Sequence, residues 1–412
     1  MLKAGALYFA IVMAFFIAVI SAAIILLAAH YRNSYLKELR FNRLQQNRDS
    51  AILYALNTPA PVAGDTLKID LYADEMDSVE INRESWGILN LTQVKAFIEQ
   101  DTLKSIFFTG TDTHKDSLSL YLSDEDRPLS VSGKTKIVGD VQVPKAGVRQ
   151  SYAEGKPYEG DQLIYGKISD SKRTLDALDE ALIKKLTTHL ELPLDALPVY
   201  PRQNLLVSFG QASRAYKLPV NTQLTQHLVG KIILYADTTV TITAQSQLNG
   251  VIIYAPAIMV EEGFEGNCQL FATDSIIVAP KVKLQYPSVL GLIASEKTVD
   301  QAKISIGKGS LVKGMVFSSE KKRSAMQTLI ALGEKTRVVG EVYSTGLVKL
   351  GKETQIIGKV SCNRFMMQTP ATLYENFLID VRIDRKARSK YYLSSKLFKT
   401  EQAQNRILQW LN

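Results

Sequence analysis

One thirteen-residue pattern returns through the second half of the chain, and it limits the fold more than any other feature. Ile304 to Val316 reads ISIGKGSLVKGMV, Ile330 to Val342 reads IALGEKTRVVGEV, and Val348 to Val360 reads VKLGKETQIIGKV. Each has apolar residues at positions one, three, nine and thirteen, glycine at four and eleven, and Ser or Thr at seven. Looser copies start at Val240, Ile258 and Ile276. The third-position residues Ile242, Val260, Val278, Ile306, Leu332 and Leu350 follow one another at steps of 18, 18, 28, 26 and 18. A short fixed period with β-branched residues at alternate positions and glycine at corners is the signature of a β-solenoid. A single turn cannot bury its own apolar side, so it stacks on the next at about 4.8 Å. Glycine permits the tight bends between faces. A β-sandwich would not repeat Gly and Ser/Thr at fixed offsets. Gly291 to Lys303 and Ser318 to Thr328 are expected to leave the stack as loops or short helices.

Leu129 to Val141 (LSVSGKTKIVGDV) matches the same pattern, so a first turn is expected there, about a hundred residues before the main stack. The interval includes Leu175 to Leu192, whose spacing predicts an amphipathic helix. Leu205 to Phe209 and Ile232 to Tyr235 read as further strands. The main solenoid is assigned to 229–363, with the first turn and its excursion at 129–228. Beyond Val360 the repeat is expected to end. Asn376 to Asp384 reads as a strand, Arg385 to Lys390 as a basic stretch and Glu401 to Leu411 as a short helix. Residues 364–412 would cap the open strand edges of the stack.

The other end of the chain has a different character. Ala4 to Ala29 carries no charge and lies between Lys3 and Arg32, long enough to cross a bilayer as a helix. It begins too near the first residue and runs too long for an ordinary cleaved signal peptide. Residues 1–30 are therefore assigned to a single transmembrane anchor. The helix is expected to continue as a stalk over 31–58, stopping before Pro59, which disfavours the α region in its predecessor. Residues 59–128 alternate as short strands of a small β-rich module, where Val94 to Gln100 admits a helix and Trp86 belongs to the core. The fold class is thus mainly β: a membrane helix and stalk, a β-rich module, then a solenoid with excursions and a C-terminal cap.

The candidates for chemistry are few. The four histidines, His30, His114, His189 and His227, all precede Val240, outside the main repeats. Glu261, Glu262, Glu265 and Asp274 form one acidic group, read as a solvated turn edge. Gly133 to Thr135 resembles the end of a phosphate-binding loop, but position 128 is not the glycine such a loop needs, so a solenoid corner is expected. No His/Cys/Asp spacing suggests a metal site. Cys268 and Cys362 sit several turns apart, too far for a disulfide. The net charge of +8 is spread out, without the aromatic-interleaved basic stripe that single-stranded nucleic acid requires. The reading assigns no catalytic, cofactor-binding or metal residues, no cofactor, no nucleic acid and no small-molecule substrate.

Three resemblances attach to these residues. The hexads beginning at Ile306, Leu332 and Leu350 resemble those of left-handed β-helix acyltransferases, which use a histidine as general base. The absence of histidine from these repeats argues against that activity. The repeats, with Gly314, Gly340 and Gly358 followed by Val316, Val342 and Val360, are similar to those of bactofilins. That resemblance implies a bacterial polymer-forming β-helix protein working as a membrane scaffold. The N-terminus, through Leu56, resembles the anchors of minor pilins and pseudopilins, although Ala6 to Ala10 lacks the family's processing motif. It implies a body outside the cytoplasm. The positive-inside rule, counted on Arg32, Lys37, Arg40, Arg43 and Arg48, puts the body inside instead. The expectation is a non-catalytic, single-pass protein of a bacterial inner membrane. It would take part in a pilus-like or secretion assembly with its body in the periplasm, its partners being the membrane and other proteins or copies of itself. The alternatives are a cytoplasmic bactofilin-like scaffold and a surface protein that binds or modifies polysaccharide.

Overall fold

The structure is a computed structural model that describes residues 4–58, 66–70, 77–295, 300–368, 372–398 and 404–411. It is mainly β, with one long apolar N-terminal helix, and divides into two compact units, Met1–Glu84 with Thr92–Ile106, and Ser85–Leu91 with Phe107–Asn412.

In the first unit, α1 (Ala4–Asn57) is a continuous helix of 54 residues. Its mean hydropathy reaches 3.0 over an 18-residue window with no buried residue, so it is long and apolar enough to cross a membrane. Its character changes after Arg43. Leu44, Asn47, Ala51, Ile52 and Ala55 are buried, at the three- and four-residue spacing of one helical face. Arg83 donates to the Ala55 carbonyl at 2.7 Å, and Arg40 meets Glu99 at 2.8 Å. Thr66–Ile69 pairs antiparallel with Val79 to Asn82. Val94, Ala96 and Ile98 are buried at alternate positions in the strand Leu89–Ile98, so the helix admitted at Val94 to Gln100 is a strand. Two-residue alternation decided the outcome, and the alanine at 96 is a weak helix signal by comparison.

The second unit is built on one closed, barrel-like sheet whose strands are almost all parallel. Val240 pairs with Ile258, Ile258 with Ile276, Ile276 with Ile304, Ile304 with Ile330, and Ile330 with Val348, reproducing the sequence steps residue for residue. The first-position residues and Ile242, Val260, Val278, Ile306, Leu332 and Leu350 fall in a single buried apolar cluster. Each such side chain contributes about 1.5–3 kcal/mol by leaving water. Lys283–Ala294, Lys303–Ile306 and Leu311–Glu320 are strands, so both departures from the sheet are narrower than the sequence suggested, the second spanning 321–328. Residues 296–299 lie outside the described set.

The layers do not begin at Val240 or end at Val360. Leu228 pairs with both Leu248 and Leu205, which adds two layers upstream. Downstream, Ile356 pairs with Ile383, and Ile383 with Ile137; Val360 pairs with Leu120, and Leu120 with Val141. The turn at Leu129–Val143 therefore lies beyond the last repeat, not before the first. Its own outer neighbours are Val148–Gln150 and Ile168–Asp170. Asn376 to Asp384 holds two short strands, Phe377–Ile379 and Arg382–Asp384, which serve as a layer.

Having formed that distal layer, the chain must return to the opposite end to begin at Leu205. It does so as a strap along the outside of the sheet. Thr174 accepts from the Tyr121 hydroxyl at 2.9 Å, Asp176 O accepts from Tyr343 at 3.0 Å, and Pro198 accepts from Lys217 N at 2.9 Å. The strap contains α2 (Glu180–Leu190), shorter at its start than predicted because Asp179 caps it by accepting from Leu182 N at 2.8 Å.

Of the C-terminal segment predicted as a helix, residues 401–403 lie outside the described set and Gln404–Trp410 is a strand. Gln404–Trp410 pairs antiparallel with Phe107 to Asp112. A bulge between Ile407 and Gln409 breaks its two-residue alternation, which is why the apolar spacing reads as helical.

Candidate functional site

Three columns of residues run across the layers, and together they explain the repeat. The seventh-position hydroxyls are buried under the corners. Ser310 donates to Ala279 O at 3.0 Å, Thr336 to Gly307 O at 3.1 Å, and Thr354 to Gly333 O at 3.1 Å. Each satisfies a carbonyl that the bend takes out of the ladder. The sixth-position residues Gly263, Lys281, Gly309, Lys335 and Glu353 all have positive φ, whether a hydroxyl or, as at Phe264 and Val282, an apolar side chain follows. The eleventh-position glycines form the closest approach. A Cβ on Gly340 would lie 1.8 Å from Gly314 O, and one on Gly358 would lie 1.8 Å from Gly340 O.

The corner charges pair with each other. Lys281 meets Glu262 at 2.8 Å, Lys308 meets Glu334 at 2.9 Å, and Lys352 meets Glu154 at 2.6 Å. Glu265 is held by Gln285 at 2.8 Å and Lys283 at 3.4 Å, and these partners lower its pKa. The acidic group singled out in the sequence thus does not converge: Glu262 and Glu265 each face a lysine of the next layer. At Gly133 to Thr135, Asp380 Oδ1 accepts from Lys134 N at 2.9 Å and Oδ2 meets Lys156 at 2.6 Å. A carboxylate occupies the place where a phosphate loop would present free amides to an anion. Cys268 and Cys362 are both buried free thiols, with burial pushing Cys268 up to about 12. Trp86 is in the core, its Nε1 donating to Gly250 O at 2.8 Å.

The densest polar cluster is one that the sequence reading missed. Arg385 and Arg388, read as a basic surface stretch, are buried. Arg385 donates to Asp116 O and Thr113 O, both at 2.8 Å. Arg388 donates to Thr113 Oγ1 at 3.0 Å, lies 3.5 Å from Glu341 and sits 4.5 Å from the centre of the Tyr392 ring. Glu341 also accepts from Ser394, and Lys359 meets Asp116 at 3.4 Å. Burial first, then the neighbouring Arg388, lowers the Arg385 pKa; burial raises Tyr392. Continuing the same segment, Tyr392 donates to Gly314 O at 3.2 Å, Leu393 O accepts from Tyr286 at 2.9 Å, and Ser395 donates to Ile88 O at 2.6 Å. Residues 385–395 thus cross successive layers and staple them. In the sequence, only the interruption of the basic run by Ala387 hinted at an inward face, and the partners lie more than forty residues away.

Beside this cluster is a cleft of about 50 Å³ lined by Asp116, Tyr121, Asp176, Glu341, Tyr343 and Lys359. A water's share of liquid volume is about 30 Å³ and ligand pockets run about 300–1,000 Å³, so this cleft suits one or two waters. A wider, open depression of about 380 Å³ is lined by Met326, Leu347, Met366 and Arg364. Arg364 there is engaged by Glu375 at 2.7 Å and by Glu125. Among the described residues, no group of three His, Cys, Asp or Glu side chains could hold a metal ion. Comparisons with protein-family models, with curated proteins and with solved structures return no match for this chain.

Proposed function

We propose that this is a non-catalytic, membrane-anchored structural protein, with α1 as its single span and the closed parallel sheet as a β-solenoid. The carrying observation is the pairing of the chain's ionisable groups across layers. Lys281 with Glu262, Lys308 with Glu334 and Arg388 with Glu341 tie neighbouring layers, and α1 presents an exposed apolar length. Steps of 18 residues between paired positions and a single internal apolar column support the solenoid reading.

Within this class, membership of a pilus-like or secretion assembly is the first reading. α1 supports it by continuing unbroken from an exposed apolar half into a segment with one face buried in its own unit. A bactofilin-like cytoplasmic scaffold is the second, supported by the glycine column at Gly314, Gly340 and Gly358. Two reporters fused after Asn412, one active only in the periplasm and one fluorescent only in the cytoplasm, separate the two. A periplasmic signal supports the first reading, and a cytoplasmic one refutes it in favour of the second. Release of the full chain from membranes by alkaline carbonate would refute the anchor itself.

A further inference from the structure

The layers place aromatic residues in one column on an outer face: Tyr235 opposite Tyr254, Tyr254 opposite Phe271, and Phe317 opposite Tyr343. All five are buried because other chain lies over them. At Tyr235 and Tyr254 that cover is α2. Its His189 ring stacks on Tyr254 at 5.0 Å and 18°, and its Nδ1 lies 2.8 Å from the Tyr235 hydroxyl. Yet α2 is thinly attached. From Lys172 to Val199 the buried apolar side chains are Leu178 and Leu186 alone. A helix of 11 residues has little stability of its own, so its position depends on these few contacts.

We propose that α2 is a lid over this aromatic column, latched by neutral His189 and released by its protonation. In the closed state the Tyr235 hydroxyl donates to the imidazole Nδ1. A proton added to Nδ1 reverses that bond, with the hydroxyl now accepting, so the cost falls on placing a cation in an apolar seat. The charged groups around the ring do not compensate. Lys185 on the same helix is also cationic. The strand Gln247–Val260 offers Tyr254 as its titratable side chain, and Ile232–Tyr235 offers Tyr235. The strand Glu265–Val278 carries Glu265, which is held by Gln285 and Lys283, and Asp274. Burial and then Lys185 lower the His189 pKa, while burial pushes Tyr235 up to about 12 and keeps it a donor. The sign follows: the closed state binds the proton more weakly, so closure is complete above the free imidazole value of about 6.5 and weakens as pH falls through it. Opening leaves the ring faces of Tyr235 and Tyr254 to solvent.

Amide hydrogen exchange on the full-length protein in detergent micelles tests this. Protection factors are corrected for intrinsic rates and compared at pH 7.5 and pH 5.0. At pH 5.0 a free imidazole favours its protonated form by about thirtyfold, which bounds the effect. Protection of Ile183 to Leu190 should fall by up to that factor, while the strand Arg337–Leu350 holds. In His189→Phe, which keeps a stacked ring but takes no proton, the fall should vanish. Equal protection of α2 at both pH values overturns the proposal. So does an equal fall in the Phe variant or in the strand, or a titration of the wild-type His189 resonances at or above 6.5. None of these readouts depends on which side of a membrane the body occupies.

Discussion

Gly340→Ala should damage the sheet far more than a single methyl normally does. Gly340 has φ +148°, and a Cβ there would meet Gly314 O at 1.8 Å and the Tyr392 hydroxyl at 2.8 Å. An ordinary C···O contact is about 3.3 Å, so the layer must shift by more than an ångström. A non-glycine residue in such a region carries about 1–3 kcal/mol of backbone strain. The shift also weakens ladder bonds to the next layer and the Tyr392 bond to Gly314 O, at about 1 kcal/mol each. The sum is about 3–6 kcal/mol. Gly263→Ala is the internal control. Gly263 has φ +84°, but nothing lies within 4 Å of its Cβ position, so it should lose only about 1–2 kcal/mol of conformational preference. Urea unfolding of the detergent-solubilised chain, followed by the fluorescence of buried Trp86, measures both. Equal midpoints for the two variants would refute the view that close approach between layers is what requires glycine at this column.

Two further perturbations probe the covered face. Glu341→Gln removes the charge partner of buried Arg388 and should cost about 3 kcal/mol, the lower end for breaking a buried pair because Thr113 and the Tyr392 ring remain. Glu262→Gln, at an exposed corner pair, should leave the urea midpoint unmoved, and a comparable loss there would contradict the assignment. For pH, burial pushes Tyr200 and Tyr235 up to about 12 and raises Tyr343 as well. The folded state holds these protons more tightly, so stability is flat below about pH 10 and falls between 10 and 12. An absorbance titration should show these hydroxyls ionising together with unfolding, and their independent ionisation below pH 11 would contradict it.

The sequence spoke most clearly where one local rule repeated. The first- and third-position apolar residues point inward as their alternation required, and the Ser/Thr positions mark the hydroxyls that cap corner carbonyls. α1 ends at Asn57, next to the residue that Pro59 constrains. What stayed hidden was long-range. Leu129 to Val141 carries the repeat, but nothing in a repeat says which neighbour it stacks on, and its partner Ile383 is nearly 250 residues away. Arg385 and Arg388 read as surface because Lys and Arg are almost never buried without partners, and the partners Asp116 and Glu341 come from other layers. Gln404–Trp410 read as helix because its bulge disguises the alternation of a strand.

The order of the layers also accounts for the strap. A chain that runs through its layers in sequence order needs only corners. This one places residues 118–170 after residues 355–384, so it must carry the backbone from the distal layer back to Leu205 outside the sheet. An outer face crossed by such a segment must bury something to hold it, which explains aromatic residues at Tyr121, Tyr235, Tyr254 and Tyr343, where a solvated face would carry charge. The same route forces polar backbone onto an apolar face, and the tyrosine hydroxyls answer that need: Tyr121 and Tyr343 donate to the strap carbonyls of Thr174 and Asp176. At α2 the helix satisfies its own backbone, so the Tyr235 hydroxyl is left to a side chain, and that side chain is His189. The histidine contact along the strap therefore falls where the backbone no longer needs the face.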